Sequence, residues 1–565
     1  MERAIGWSDT RSGSIQGSRG IGVELLVRLS RTAVAWWSAL AVLGITLLIP
    51  LAVVDVPPLL DYPNHLARAY VLAWGQQDPF LSRMYRPHWA IIPNLAVDVI
   101  LPPLMWIMPV HIAGRMVLAL ALLLPVIGTV LYSYALFGRR SYWSIAVCFV
   151  ACNGLFLLGF VNFQLGIGLA LICAAAWLRW RETRPVFTVA IGVVCAVLLF
   201  FCHLMGLLFY LILLVSYEIE QSWTSYRRGV AMMAVVVRRS AWLLPVVAPP
   251  AALYAVSTLA GIGDDATWES GYDKLIHAAM SLVNYNFPLD IVSAGGLAAF
   301  LLTCAGLRLL RVPLQSAVAL GGVGILYALA PIGFKDTGYL DVRFAVMFGF
   351  LLFASVLPIR LPDRAALLVA VAVVTLFGLR TSQVATVWYA HNRDLAELRN
   401  AISVVDPGSR VLLAMVGTDE VDPARRGLLR RQYLSDGTRL DAHTAALLLI
   451  ERRAFWTFLF AVPTQQPIEL RSPYREISAR TLGIPDVRLL SARSPDARDL
   501  ATFPMEGRWS CCYDYVLLLE SGARPDFVNS NLALLRKTDY ASLFRIRHPA
   551  PVVASSTGLA ADPPP

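Results

Sequence analysis

Residues 33–54 read AVAWWSALAVLGITLLIPLAVV, an apolar run without a single charged side chain. A helix needs about 20 mostly apolar residues to cross a hydrocarbon core of roughly 30 Å at about 1.5 Å per residue. Similar runs recur as far as Leu379, and the chain of 565 residues is 57% hydrophobic and 15% charged. Soluble globular chains do not carry this composition. The sequence therefore predicts a polytopic α-helical membrane protein.

The formal net charge of +10 is compatible with a nucleic-acid partner, so the placement of the basic residues decides the matter. The basic residues separate the apolar runs instead of forming one patch, and the only lysines are Lys274, Lys335 and Lys537. We predict no nucleic-acid partner. Membrane lipid is the predicted surrounding of most of the chain.

The arginines predict the topology, because short arginine-rich loops stay in the cytoplasm. Five such clusters lie between apolar runs: Arg139 and Arg140; Arg179, Arg181 and Arg184; Arg227, Arg228, Arg238 and Arg239; Arg308 and Arg311; Arg360 and Arg364. With residues 1–32 as a disordered cytoplasmic tail, the predicted spans are 33–54, 112–137, 141–158, 160–178, 186–202, 204–219, 241–260, 291–307, 314–332, 344–358 and 365–383. This odd number of crossings places the C-terminal domain outside.

Residues 90–108 are long enough to span but contain Asp98 and several prolines. An acidic side chain at the bilayer centre costs about 2.5 to 3.5 kcal/mol. We therefore expect this segment to lie on the outer membrane surface as an interfacial or re-entrant helix, within a large first outer loop, 55–111.

The composition changes after Arg380, where charges and prolines reach the density of a soluble domain. The transmembrane domain is predicted to cover 33–383. Residues 384–548 are predicted to form an extracytoplasmic α/β domain, with a helix to about Val404 and strands at 410–415, 513–519 and 544–547. Residues 549–565 are predicted to be disordered. No glycine-rich loop accompanies these strands, so nucleotide binding is not expected.

The unusual polar residues cluster at the predicted outer face. Asn162, Gln164 and His203 lie beside predicted outer turns, and polar groups in lipid are costly unless they pair or line a wet cavity. For His203, packing with a hydrogen bond is the alternative to a role in a site. Their convergence predicts an outward-facing site.

The densest polar patch is DYPNHLAR, residues 61–68. On a helix, Asp61, His65 and Arg68 share one face, which brings a carboxylate, an imidazole and a guanidinium together. This set suits acid/base and phosphate chemistry, and Asn64 lies among them. The alternative is that Asp61 simply caps the helix, since an Asp followed by Pro in the first turn is typical of a helix start.

Charged residues also fill the other two outer loops. In 333–343, Lys335 and Arg343 flank Asp341 at the level of a lipid-linked phosphate, and charge-assisted bonds to phosphate are strong. Interfacial anchoring by long basic side chains is the alternative. In 261–290, the acidic residues Asp264, Asp265, Glu269 and Asp273 are able to hold a divalent cation, but such a run is more often just solvated. We predict no metal and no cofactor.

The architecture resembles the GT-C class of membrane glycosyltransferases. The resemblance rests on Asp61 in DYPNHLAR, on PPLMWIMP at Pro102–Pro109, on DVRF at Asp341–Phe344, and on the segment from Trp388 through DPGSRVL at 406–412. It implies transfer of a sugar from a polyprenyl-phosphate donor to an extracytoplasmic glycan, lipid or protein, at a bacterial inner membrane. Asp61 is then the general base, and Lys335 and Arg343 are candidates for the donor phosphate.

Two departures leave the subfamily open. The chain has neither an acidic pair at Asp61 nor a WWDYG-like motif. Two other functions compete: a transporter or lipid flippase, which needs ionisable groups in the spans or paired halves, and a noncatalytic subunit of a cell-envelope polysaccharide system.

Overall fold

The computed structural model describes residues 32–335, 337–359, 361–415, 431–478, 484–487, 490, 509–519 and 529–547. The two predicted disordered tails, 1–32 and 549–565, fall outside these ranges except for Thr32. Eight of the described helices are long and apolar enough to cross a membrane, and a sheet domain follows them. The predicted fold class, a polytopic helical membrane protein with a C-terminal α/β domain, is confirmed.

The α-helices are α1 Ala33–Ala52, α2 Tyr62–Trp74, α3 Leu81–Met84, α4 Ala96–Ile107, α5 Val110–Phe137, α6 Tyr142–Ile145, α7 Cys148–Ala151, α8 Gly154–Leu157, α9 Val161–Trp180, α10 Pro185–Cys202, α11 Leu204–Arg227, α12 Met232–Ala255, α13 Gly271–Ala278, α14 Phe287–Gly306, α15 Leu314–Leu329, α16 Leu340–Ser355, α17 Asp363–Ile402 and α18 Trp509–Cys512. Short 3₁₀ turns cover Thr258–Gly261 and Thr444–Ala446, and a π turn covers Leu448–Arg452.

The strands are β1 Tyr85–Pro87, β2 Ala266–Thr267, β3 Leu310–Arg311, β4 Gly333–Phe334, β5 Leu357–Pro358, β6 Arg410–Met415, β7 Phe455–Trp456, β8 Ile468–Leu470, β9 Tyr515–Leu519, β10 Leu532–Lys537 and β11 Ala541–Ile546. The C-terminal sheet has the order β10-β11-β9-β6-β7, and β6 runs parallel to both of its neighbours. The three predicted strands correspond to β6, β9 and β11. Cys511 and Cys512, which are adjacent in the sequence, are joined in a vicinal disulfide.

The predicted span 141–158 is wrong as one continuous helix. The chain there forms three separate turns, α6, α7 and α8. Asn153 causes the last break: its side-chain oxygen accepts from the Phe156 amide, and its side-chain nitrogen donates to the Val150 carbonyl. Ser, Asn and Asp side chains compete in this way with the regular helical ladder. The broken segment is buried among the surrounding helices.

The predicted last span, 365–383, lies within α17, which is 40 residues long and continues to Ile402. At about 1.5 Å per residue α17 is about 60 Å long, roughly twice the hydrocarbon thickness. Its charged residues do not stop it, since they find partners in the fold: Arg380 pairs with Asp290 at 2.6 Å and Asp394 with Arg431 at 3.0 Å. The helix therefore connects the membrane part to the sheet domain directly.

The basic clusters gather at one end of the bundle. Arg181 and Arg239 share Glu218, at 2.9 Å and 2.8 Å, and so join two clusters. Arg311 lies over the ring of Phe137, 5.7 Å from its centroid, beside a third cluster. This common end agrees with the expectation that these clusters lie on one side of the membrane.

Candidate functional site

Asp61 immediately precedes α2 but does not cap it. Its side chain makes no capping hydrogen bond, so the capping alternative does not describe the structure. Its backbone amide donates to the Leu158 carbonyl at 3.1 Å. Gly159 permits this close contact, because it has φ +84° and a Cβ there would lie 2.7 Å from the Asp61 nitrogen. The broken segment 141–158 thus positions Asp61, and its carboxylate stays available.

The carboxylate faces a histidine of the C-terminal domain. Asp61 Oδ1 lies 3.1 Å from His443 Nδ1, and the two side chains are 15% and 4% exposed. The His443 ring packs edge-on against Trp456 and Phe460, with centroid distances of 5.9 Å and 5.2 Å. Sequence reasoning missed His443, since a lone histidine in DAHT carries no signal that ties it to Asp61.

Arg343 lies in the first turn of α16, not in a loop as predicted. Its Nη2 donates to the Gly338 carbonyl at 3.0 Å, while its buried Nε finds no hydrogen-bond acceptor among the described residues. Its guanidinium packs over Phe160 at 5.1 Å. Within the described ranges, no carboxylate approaches it closely enough for an ion pair. Arg343 is therefore a buried cation with capacity to bind an anion.

Tyr339 contacts the Phe160 ring and interacts electrostatically with Asp61. Its backbone is in the left-handed region, with φ 56°, and its ring packs edge-on against Phe160 at 5.9 Å. Burial raises the pKa of Tyr339, and the negative charges of Asp436 and Asp61 raise it further, so the phenol stays protonated. Asp61, His443, Arg343, Tyr339 and Phe160 are called the Asp61 site below.

Arg68 is engaged by Asp98, the acidic residue of α4. Arg68 Nε and Nη2 donate to the two carboxylate oxygens of Asp98 at 2.6 Å and 2.9 Å, and both side chains are almost fully buried. The bidentate pair explains how α4 accommodates Asp98. The predicted phosphate role of Arg68 stays a prediction, but its charge is already balanced.

His65 lies beside this pair. Arg68 Nη2 is 3.0 Å from His65 Nδ1. Because the guanidinium can only donate, Nδ1 is the acceptor and the ring proton lies on Nε2. Burial lowers the pKa of His65 well below its usual value, and the charges of Arg68 and His443 lower it further. His65 is therefore a neutral imidazole, and its predicted catalytic role remains a prediction.

Asn64 fastens the C-terminal domain to α2. Its side-chain nitrogen donates to the Phe458 carbonyl at 2.9 Å, and its side-chain oxygen accepts from the Phe460 amide at 2.8 Å. Both ends of the amide are used in this way, deep in the protein. In the same region β1 pairs with β8, so the segment between α1 and α5 is joined to the C-terminal domain.

The other predicted polar residues hold backbone in place. Asn162 accepts from the Val97 amide and donates to the Asn94 carbonyl, which fixes the start of α4. Gln164 donates to the Ala151 carbonyl at the broken segment. His203 accepts from the Met205 amide and caps α11. These contacts account for their conformations without a substrate.

Lys335 lies away from the Asp61 site by its contacts. Its Nζ is 2.8 Å from Asp264 and donates to the Ile262 carbonyl at 3.1 Å. The hydrogen bond to Asp264 raises the pKa of Lys335. A phosphate role for Lys335 stays a prediction that would require this ion pair to open.

Asp341 lies in a different cluster from Arg343. It is fully buried in the first turn of α16, and its ligand-capable oxygens lie near Glu269 and His277 of the second outer loop. Of the four acidic residues predicted in that loop, only Glu269 joins this group. Asp264 binds Lys335, and Asp273 accepts from the Ser270 hydroxyl at 2.6 Å.

No protein-family model matches the chain, and no curated protein matches it. Among solved structures, the crystal structure of ArnT from Cupriavidus metallidurans bound to undecaprenyl phosphate is similar, with 12% sequence identity and a TM-score of 0.46. The likeness covers 91% of this chain and 98% of that chain. At this identity and TM-score, it supports no assignment of activity or substrate to this chain.

Proposed function

We propose that this chain is a membrane glycosyltransferase of the GT-C type. It moves a sugar from a polyprenyl-phosphate donor to an extracytoplasmic glycan, lipid or protein acceptor, with Asp61 as general base. The observation that carries the proposal is the Asp61 site itself: a carboxylate that caps no helix interacts electrostatically with a buried guanidinium that forms no ion pair among the described residues.

These two groups have the chemistry that the reaction requires. Asp61 accepts the proton of the acceptor hydroxyl while the oxygen of that hydroxyl forms a bond to the anomeric carbon of the sugar. The bond from that carbon to the phosphate oxygen breaks, and polyprenyl phosphate leaves with the negative charge. Arg343 is suited to stabilise this phosphate, because a guanidinium in a site with little water binds an oxyanion strongly. His443 contacts the carboxylate and holds its orientation.

The contrast with Arg68 supports the choice of Arg343 for the phosphate. Arg68 is also buried, but Asp98 already neutralises it through two hydrogen bonds. An anion near Arg68 would have to compete with that carboxylate, whereas an anion at Arg343 would compete only with the Gly338 carbonyl.

The test uses membranes that contain the protein and a labelled polyprenyl-phosphate sugar. The wild type should transfer label to an acceptor, and Asp61→Asn should lower the rate about 10²-fold to 10⁴-fold, the contribution of a positioned base. Because Asp61 caps no helix, the variant should stay folded. Asp539→Asn, which changes an exposed carboxylate of the outer domain, is the matched control and should keep activity.

The same assay separates the competing functions. A transporter or flippase would move label across the membrane without forming a bond to an acceptor. A noncatalytic subunit would show neither result. Unchanged transfer by Asp61→Asn would exclude Asp61 from the mechanism.

A further inference from the structure

Three side chains with metal-ligand chemistry converge where the second outer loop meets the start of α16. Glu269, His277 and Asp341 each offer one ligand atom, and these atoms all lie within 4.8 Å of one another. Their side chains are 7%, 15% and 0% exposed. A solvated acidic run, the simple explanation of this loop, does not describe residues that are this well buried.

Asp341 provides the second, independent observation. Both of its carboxylate oxygens are buried and have no hydrogen-bond partner, and they point toward Glu269 and His277. The nearest described cation is Lys274, whose Nζ is 3.9 Å away and donates to the Ala330 carbonyl at 2.6 Å instead. A buried carboxylate without hydrogen bonds is costly unless a cation or a proton satisfies it.

The neighbouring carboxylate has the same deficiency. Both oxygens of Glu269 lack a hydrogen-bond partner, although His277 Nδ1 is 2.7 Å from Glu269 Oε2. Two carboxylates and an imidazole in one buried cluster therefore lack a positive charge at their centre.

We propose that Glu269, His277 and Asp341 form a binding site for one divalent transition-metal ion, of the kind represented by Zn²⁺. Imidazole suits zinc and its neighbours, whereas calcium and magnesium prefer oxygen ligands alone. Zinc takes ligands at about 2.0 to 2.2 Å, which places them roughly 3.4 Å apart in a tetrahedron. On binding, the widest ligand separation must shrink by up to about 1.4 Å and the close His277–Glu269 pair must open slightly, and water supplies the remaining coordination.

The position of this cluster gives the ion a structural consequence. Asp341 and Arg343 lie in the same first turn of α16, and the His277 ring contacts Tyr339 with a centroid distance of 6.3 Å. An ion here would link the second outer loop to the first turn of α16, which contains Arg343. The ion itself does not touch the Asp61 site.

The test is titration of Zn²⁺ into purified, chelator-treated full-length protein, followed by calorimetry and by thermal unfolding. The wild type should bind one equivalent and should unfold at a higher temperature with Zn²⁺ than without it, because a ligand of the folded state stabilises it. Glu269→Gln and His277→Gln should each weaken binding about 10-fold or more and lose the thermal shift. The matched control is Asp265→Asn, an exposed acid of the same loop outside the cluster.

Three results would overturn the site. The first is absence of saturable binding to the wild type, which would indicate that a proton satisfies the carboxylates. The second is unchanged affinity in both cluster variants, and the third is an equal loss in Asp265→Asn. Metal binding is measured here without sugar transfer, so its failure leaves the glycosyltransferase proposal standing, and the reverse also holds.

Discussion

Asp61 Oδ1 lies 3.1 Å from His443 Nδ1, so the segment that follows α1 and the C-terminal domain meet at the carboxylate of the Asp61 site. Asn64, three residues further along α2, binds the backbone of the same domain at Phe458 and Phe460. The domain therefore forms part of the wall around Asp61 and is not a separate module. Deletion after Arg380 would remove His443 and cut α17, which continues to Ile402.

We expect His443 to act as a positioning residue for Asp61. His443→Ala should lower kcat about 10-fold to 100-fold, because small displacements of a reacting group cost up to about 10²-fold, and should leave KM for the donor nearly unchanged. The measurement is steady-state transfer of labelled sugar at several donor concentrations.

The control for this prediction is His391→Ala. His391 is also a buried histidine near a carboxylate, with Nδ1 3.5 Å from Asp394, but its ion-pair partner is Asp394 and not Asp61. Equal losses of kcat in both variants would indicate a general structural effect and would contradict a specific role for His443.

Arg343 should contribute mainly to donor binding. Arg343→Gln removes a buried charge that has one hydrogen bond and one unused Nε donor, so KM for the donor should rise about 10-fold to 100-fold, as expected for the loss of a hydrogen bond to a charged group. Lys335→Gln is the comparison, since Asp264 already balances Lys335. A larger rise in KM for Lys335→Gln than for Arg343→Gln would contradict this prediction and would assign the donor phosphate to Lys335.

The helical membrane part was predictable because its signal is local. Any helix in lipid must satisfy its own backbone, so long apolar runs indicate spans directly. The error at 141–158 has a local cause that hydropathy does not detect, because the Asn153 side chain replaces the helical ladder there. The partner of Arg380 was not predictable in this way, since Asp290 lies far away in the sequence.

The sequence named Asp61 and Arg343 as candidates, but it did not predict which distant residues contact the members of the DYPNHLAR motif. The DYPNHLAR motif led to Asp61, but the partners of its members come from elsewhere: Asp98 for Arg68, Phe458 and Phe460 for Asn64, and His443 for Asp61. Helical spacing brings Asp61, His65 and Arg68 to one face, but it contains no information about which of them a distant residue neutralises.

The Arg68–Asp98 pair should stabilise the fold only as an intact pair. Arg68→Ala leaves a buried carboxylate without its cation and should cost about 3 to 5 kcal/mol in the free energy of unfolding, and Asp98→Ala should cost a similar amount. The double variant Arg68→Met with Asp98→Leu should recover most of that loss, because two apolar side chains have no charge to desolvate. Thermal unfolding of the purified protein measures this. Additive losses in the double variant would show that the pair does not act as a unit.

The neutral state of His65 predicts how stability depends on pH. The pKa of His65 is lower in the folded protein than in the unfolded chain, where it is about 6.5, because of burial and the charges of Arg68 and His443. Below about pH 6.5 the unfolded chain binds a proton that the folded protein does not, so stability falls as pH falls. The contribution of this one group is about 1.4 kcal/mol per pH unit until the folded pKa is reached. His65→Asn keeps a hydrogen-bond acceptor for Arg68 but cannot titrate, so its stability should depend less steeply on pH between pH 6.5 and about 5.

The control is His88→Asn, which changes an exposed histidine and should retain the wild-type slope of stability against pH. If stability depended on pH equally steeply in the wild type and in His65→Asn, His65 would take up a proton in the folded protein. The assignment of His65 as a neutral imidazole beside Arg68 would then be wrong.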